Sequence, residues 1–268
     1  MIAQRDLLAA LVVGSLAIAA PQKITIHLAG DSTMAEKLAG KRPETGWGEM
    51  LPEYLDTAAV RVVNHARNGR STRTFISEGR WQVIVDSLRA GDYVLIQFGH
   101  NDQSKDKIDR YTSPADYMKN LARFVSESRA KGAIPVLMTP VARRRFHTRG
   151  DFYDNHGEYP DLVRSVASTE RVALVDMTRS SGDLLRLFGP GASSALFLQL
   201  APGENPNYPN GVQDNTHFSP FGARIIAALA VEGIRAAGLD LAKHFRAIPA
   251  STDPGPTARN PHISQSYD

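Results

Sequence analysis

Five short β-rich runs constrain this chain more than any other feature: KITIHLAG (23–30), VRVVNHA (60–66), DYVLIQFG (92–99), IPVLMTP (134–140) and VALVDM (172–177). Each ends at a break containing Gly, Asn, Pro or Ser, and each of the gaps between them leaves enough chain for a helical crossover. That spacing predicts an α/β fold: a five-stranded parallel sheet covered by helices on both faces. The helices are well punctuated. TSPADYMKNLARFVSESRAKG (112–132) offers Ser113 as N-cap, Pro114 in the first turn, an apolar face of Tyr117, Leu121, Phe124 and Val125, and Gly132 as a stop. FSPFGARIIAALAVEGIRAAG (218–238) repeats the device with Ser219, Pro220 and Gly238. Trp81, Ile84, Val85 and Leu88 share one helical face, which reads as core.

The chain of 268 residues is long enough for a sizeable core, and with 42% hydrophobic and 22% charged residues it reads as an ordinary globular domain over 21–248. Residues 1–20 differ: a short polar start with Arg5, an apolar run from Leu7, and Ala17-Ile18-Ala19-Ala20 before Pro21. That order predicts a signal peptide, with a membrane anchor or a packed N-terminal helix as the alternatives, and its cleavage implies a secreted or periplasmic protein with no stable membrane insertion. The Pro/Gly-rich stretch 201–213 reads as loop, and residues 249–268 as a mobile tail. With no cysteine, thiol nucleophiles, disulfides and Cys-based zinc sites are excluded. A net charge of +3 mildly favours an anionic partner. Nucleic acid is not expected, because Arg143-Arg144-Arg145 alone make too small a basic footprint.

In an open parallel sheet, ligands bind outside the carboxyl ends of the strands, so the residues after each run are the ones to read. The first run ends in Gly30-Asp31-Ser32-Thr33, where Ser32 can be a helix N-cap or a nucleophile and Asp31 shapes the turn. Gly69 follows the second run, as a turn glycine or as a backbone donor open to close approach. Asn101 follows the third within Gly99-His100-Asn101-Asp102, as a turn-forming residue or an amide donor. Further on, Asp214 precedes His217 by three residues, as a surface turn or as a carboxylate–imidazole pair that leaves Nε2 free. Alone each motif is weak. His100 and His156 read as structural histidines.

Together, GDST, Gly69, GHND and DNTH occur in the order of the four sequence blocks of the GDSL, or SGNH, hydrolases, and the chain resembles that family across most of 24–236. The resemblance implies a flavodoxin-like three-layer α/β/α sandwich with no metal or organic cofactor. It also implies a catalytic Ser32, Asp214 and His217 and an oxyanion hole from Ser32, Gly69 and Asn101. GDSTMA, QFGHNDQ, TPVARRRF and YPNGVQDNTHFSPFGA resemble the rhamnogalacturonan acetylesterase branch, in which Thr33 in place of leucine is usual. The implied substrate is an acetylated acidic polysaccharide, with Arg67, Arg70, Arg73, Arg143, Arg144 and Arg145 as candidate contacts to its carboxylates. The competing readings are an esterase of the same fold acting on xylan, another glycan or short-chain esters, and a non-catalytic glycan-binding protein.

Overall fold

A computed structural model describes residues 23–246. The signal-peptide expectation for 1–20 and the tail at 249–268 lie outside the described residues. Strands β1 (Ile24–Gly30), β2 (Val60–Asn64), β3 (Tyr93–Gln97), β4 (Ile134–Met138) and β5 (Ala173–Val175) fall inside the five apolar runs. They form one parallel sheet in the order β2-β1-β3-β4-β5. The order reverses between β1 and β3, so the crossovers on either side diverge there and leave a crevice at the carboxyl ends of those two strands.

The sheet is buried on both faces, and side chains of successive residues sort onto opposite ones. Ile26, Leu28, Tyr93, Leu95, Val136 and Met138 pack toward one core with helix α1 (Trp47–Met50), α6 (Met177–Ala192) and α7 (Pro220–Ala236). Ala29, Val94, Ile96 and Leu137 pack toward the other with α2 (Thr72–Ser77), α3 (Arg80–Ser87), α4 (Pro114–Ala130) and α5 (Tyr159–Thr169). Two helical layers on one parallel sheet make the expected α/β/α sandwich.

The punctuation read from the sequence works as capping. Ser113 Oγ accepts from the Asp116 N–H at the start of α4, and Ser219 Oγ accepts from the Gly222 N–H at the start of α7. Tyr117, Leu121, Phe124 and Val125 are all buried, each worth about 1.5–3 kcal/mol relative to exposure. Trp81 is a core residue whose indole N–H donates to Glu127 at 2.6 Å.

The departure from expectation is a second sheet. β6 (Phe197–Leu200) and β7 (Val212–Phe218) pair antiparallel, so the stretch read as loop over 201–213 already enters β7 at Val212. Phe197 pairs with Phe218 and Gln199 with Gln213, so the single residue Leu198 faces the whole segment 214–217. Asp214, Asn215, Thr216 and His217 are that bulge, and bulges re-aim side chains out of a ladder.

Candidate active site

Ser32 stands two residues past β1 in a turn that begins no regular helix: the Asp31 carbonyl accepts from Met34 and Ala35 N–H and the chain then runs on irregularly. The N-cap reading of Ser32 is therefore replaced by a turn fixed from within. Asp31 Oδ1 accepts from the Thr33 N–H at 2.9 Å and the Thr33 hydroxyl at 2.8 Å. Thr33 Oγ1 in turn accepts from Gln97, whose oxygen accepts from the Trp47 indole. Gly30 is required by close approach, since a Cβ there would come within 2.9 Å of the Gln97 carbonyl of β3. The other Asp31 oxygen lies 3.2 Å from His100 Nδ1, with both groups buried. Burial holds His100 down to about 4, so near neutrality it is an uncharged partner for the Asp31 carboxylate.

The bulge of β7 brings the base to the nucleophile. His217 Nε2 lies 2.8 Å from Ser32 Oγ, and His217 Nδ1 lies 2.7 Å from Asp214 Oδ2. Asp214 Oδ1 accepts from the N–H groups of Thr216 and His217 at 2.7 and 2.9 Å, which curls the segment so that a three-residue separation closes carboxylate onto imidazole. Burial pushes the Asp214 carboxyl up, but the hydrogen bond and charge from His217 and these two N–H groups outweigh it and keep it below the ordinary carboxylate value. The fork fixes Nδ1 as the protonated ring nitrogen and leaves Nε2 to accept the serine proton.

Ser32, Gly69, Asn101, Asp214 and His217 line one cleft of about 800 Å³. Gly69 has φ of +75°, a conformation that favours glycine, and the guanidinium of Arg110 lies over it. Asn101 Nδ2 donates one hydrogen to the Arg70 carbonyl at 3.0 Å, leaving a second for the cleft. Its neighbour Asp102 is buried and accepts from the Thr72 N–H and hydroxyl, tying the loop after β3 to the start of α2. Burial raises the Asp102 carboxyl to about 6.

The candidate arginines divide. Arg143 and Arg145 line the cleft, whereas Arg67, Arg70, Arg73 and Arg144 do not. Arg67 is exposed, and Arg73 donates to the Ile108 carbonyl. Arg70 is occupied by Glu78 and the Asn68 carbonyl. Arg144 works behind the bulge: its backbone N–H donates to the Asn215 carbonyl and its guanidinium to Asn215 Oδ1, both at 2.9 Å. Gln199 Nε2 holds the same segment through the Asp214 carbonyl and Asn215 Oδ1.

Lys41, Lys107 and Arg110 line the cleft although no motif points to them; each is an ordinary cation in a polar loop. The lining thus holds five Lys and Arg side chains against Glu44, Asp106 and Asp214, and Glu44 is already paired with Lys37 and Asp214 with His217. Arg143 donates to neutral oxygens, the His100 carbonyl at 3.1 Å and Asn155 Oδ1 at 3.3 Å, and its charge lies in the field of the Asp31, Asp154 and Asp214 carboxylates. Among the described residues no cluster of three or more His, Asp or Glu side chains is arranged to hold a metal ion, and no helix is long and apolar enough to cross a membrane.

Comparison with known proteins bears on the family. Residues 28–225 match the GDSL-like Lipase/Acylhydrolase family. The chain is 42% identical to the rhamnogalacturonan acetylesterase RhgT of Bacillus subtilis (strain 168), over 83% of this chain and 94% of that protein. It is 36% identical to the probable rhamnogalacturonan acetylesterase YesY of the same organism, over 81% of this chain and 94% of that one. The crystal structure of the B. subtilis protein YxiM superposes with a TM-score of 0.70 at 27% identity, covering 82% of this chain and 58% of the longer YxiM chain. A serine, an imidazole and a carboxylate in hydrogen-bonded series at the reversal point of a parallel sheet, on a chain matched over most of its described length, have one reading: this protein belongs to the GDSL-like lipase/acylhydrolase family of carboxylic ester hydrolases.

Proposed function

We propose that this enzyme is a serine esterase that removes O-acetyl groups from pectic polysaccharide, with rhamnogalacturonan as the polymer. The observation that carries the chemistry is the 2.8 Å contact between Ser32 Oγ and His217 Nε2, continued at 2.7 Å to Asp214, on the wall of an open cleft. Ser32 Oγ attacks the acetyl carbonyl carbon as its proton passes to His217 Nε2. The oxyanion of the tetrahedral intermediate accepts hydrogen bonds from the N–H of Ser32, the N–H of Gly69 and the free hydrogen of Asn101 Nδ2. Collapse breaks the bond to the sugar oxygen, which takes the proton from His217 and leaves. Water, deprotonated by His217, then attacks the acetyl-serine carbonyl, and acetate departs as the proton returns to Ser32. Asp214 holds the imidazole in the productive tautomer and stabilises its protonated form between the two half-reactions.

The similarity to RhgT and YesY supports rhamnogalacturonan as substrate, and the excess of cations in the cleft supports a polymer bearing galacturonate carboxylates. Arg143 and Arg145 are the substrate contacts retained from the six candidate arginines, joined by Lys107 and Arg110. The apolar run from Leu7 to Ala20 supports a secreted or periplasmic enzyme, which is where such a polymer is met.

Acetate release from acetylated rhamnogalacturonan, acetylated homogalacturonan and acetylated xylan, with Ser32→Ala beside the wild type, tests this reading. Fastest release from rhamnogalacturonan, abolished by Ser32→Ala, is expected. Preference for xylan overturns the substrate assignment, and undiminished activity of Ser32→Ala overturns the mechanism.

A further inference from the structure

Arg70 has the charge expected of a substrate contact, yet its side chain is turned onto the protein. Its Nη1 donates to the Asn68 carbonyl at 2.8 Å, and its Nε lies 3.1 and 3.0 Å from the two oxygens of Glu78. The Asn68 carbonyl belongs to the same peptide unit as the Gly69 N–H. That peptide is trans, so its C=O and N–H point in opposite directions. Holding the carbonyl from one side aims the N–H to the other, and Gly69 lines the cleft with Ser32 and His217.

The same residue is gripped a second time from beneath. Lys37 is buried, and its ammonium spans three acceptors: the Ser32 carbonyl at 2.5 Å, Asn68 Oδ1 at 3.0 Å and Glu44 Oε1 at 2.7 Å. An ammonium has three N–H groups, so each is matched to one oxygen. Lys37 therefore links the nucleophile turn directly to the loop that carries Gly69. Asn101 adds a third tie to this loop through the Arg70 carbonyl. Without such ties, a loop with a glycine at φ of +75° is free to rotate its peptide planes.

We propose that Arg70 and Lys37 are positioning residues that clamp the Asn68–Gly69 peptide, fixing its N–H at the oxyanion position relative to Ser32. The proposal rests on the esterase reading above and gives Arg70 a role in turnover in place of substrate binding. A misaimed donor weakens the transition state and leaves the substrate ground state almost untouched. The loss must therefore appear in kcat, on any acetyl ester, whether or not the alcohol carries a carboxylate.

The test is steady-state kinetics of Arg70→Ala, and of Lys37→Met combined with Glu44→Gln so that no buried charge is stranded, on p-nitrophenyl acetate and on acetylated rhamnogalacturonan. Inhibition by phenylboronic acid, whose adduct with Ser32 fills the oxyanion position, is measured beside it. For both variants kcat is expected to fall about 10- to 100-fold on both substrates, with KM for p-nitrophenyl acetate within about twofold. Phenylboronic acid is expected to weaken by a similar factor, a change that simple loss of folded enzyme does not produce. If Arg70→Ala fails to fold, Arg70→Lys, which keeps the charge but not the fork, is expected to lose kcat in the same direction. Unchanged kcat on p-nitrophenyl acetate with a raised KM confined to the acidic polymer overturns the proposal and returns Arg70 to substrate binding. Wild-type enzyme inactive on p-nitrophenyl acetate, or Ser32→Ala fully active on it, overturns instead the esterase reading on which the proposal rests.

Discussion

The two halves of the site are built on opposite plans. Ser32 is carried by β1, an interior strand of a parallel sheet, and its turn is fixed by Asp31, Thr33, Gln97 and Trp47, a buried chain of hydrogen bonds that continues the regularity of β1 and β3. Asp214 and His217 sit where regularity fails, in a bulge of a two-stranded sheet that Gln199, Arg144 and the carboxylate of Asp214 itself hold in shape. A nucleophile needs one fixed point, which a sheet edge provides. A base has to accept a proton from the serine and return it to a departing oxygen, so it is held from behind through Nδ1 while Nε2 faces the cleft.

Substitutions break that contrast in order of size. Ser32→Ala and His217→Ala each remove a reacting group, and kcat on p-nitrophenyl acetate is expected to fall by about 10⁴ to 10⁶. Asn101→Ala removes one donor and leaves the relay of proton transfer, so a loss of about 10² to 10³ is expected, read as kcat with KM little changed. Arg144→Met leaves every reacting group in place but releases the bulge. A loss of about 10- to 100-fold in kcat is expected, because a small displacement of the imidazole is enough to misalign the attack. The matching release on the nucleophile side, Gln97→Leu, strands the Trp47 indole N–H in the core and is expected to lower the thermal midpoint as well as kcat. A bulge mutant as destabilised as the sheet-edge mutant, by thermal melting, would erase the difference drawn between the two halves.

The smallest expected effect is on stability against pH. Burial holds both His65 and His100 down to about 4, below the ordinary histidine value of 6.5. Between those values the unfolded chain binds protons that the folded one does not, so each group makes stability fall as pH drops from 6.5 toward 4. Asp102, raised by burial to about 6 from 3.8, acts in the opposite sense between those values, because there the folded state holds the extra proton. Burial lowers His27 and His156 as well, so the histidines outweigh Asp102 and leave a net loss on acidification, of about 1.4 kcal/mol per pH unit for each net proton. Urea unfolding of His65→Asn at pH 7 and pH 5 is expected to show a smaller loss than the wild type.

The sheet side of the molecule was legible because its signals are local. An apolar run followed by Gly, Asn or Pro is a strand and its break, and Ser-Pro before an apolar helical face is a cap wherever it occurs. The order GDST, Gly69, GHND and DNTH likewise pointed to the residues now found around one cleft. The bulge was not legible, since QDNTH over 213–217 shows no alternation of apolar and polar residues, and its place opposite Leu198 depends on a partner strand that no local pattern announces. The arginines failed for a related reason. Charge is visible in a sequence, but Glu78 beside Arg70 and Asn215 beside Arg144 are not, and it is the partner that decides whether a guanidinium faces substrate or protein. Lys37 shows the same limit in reverse: a lysine in AEKLAG reads as surface, and only Ser32, Glu44 and Asn68 converging on it make it buried.

The most direct test of the central claim is to inactivate the enzyme with diethyl p-nitrophenyl phosphate and locate the phosphoryl adduct by peptide mass spectrometry. A single adduct on Ser32, absent from Ser32→Ala and formed far more slowly in His217→Ala, is the predicted result. An adduct on another residue, or labelling of Ser32 at an unchanged rate without His217, would contradict the assignment of Ser32 as a nucleophile activated by His217.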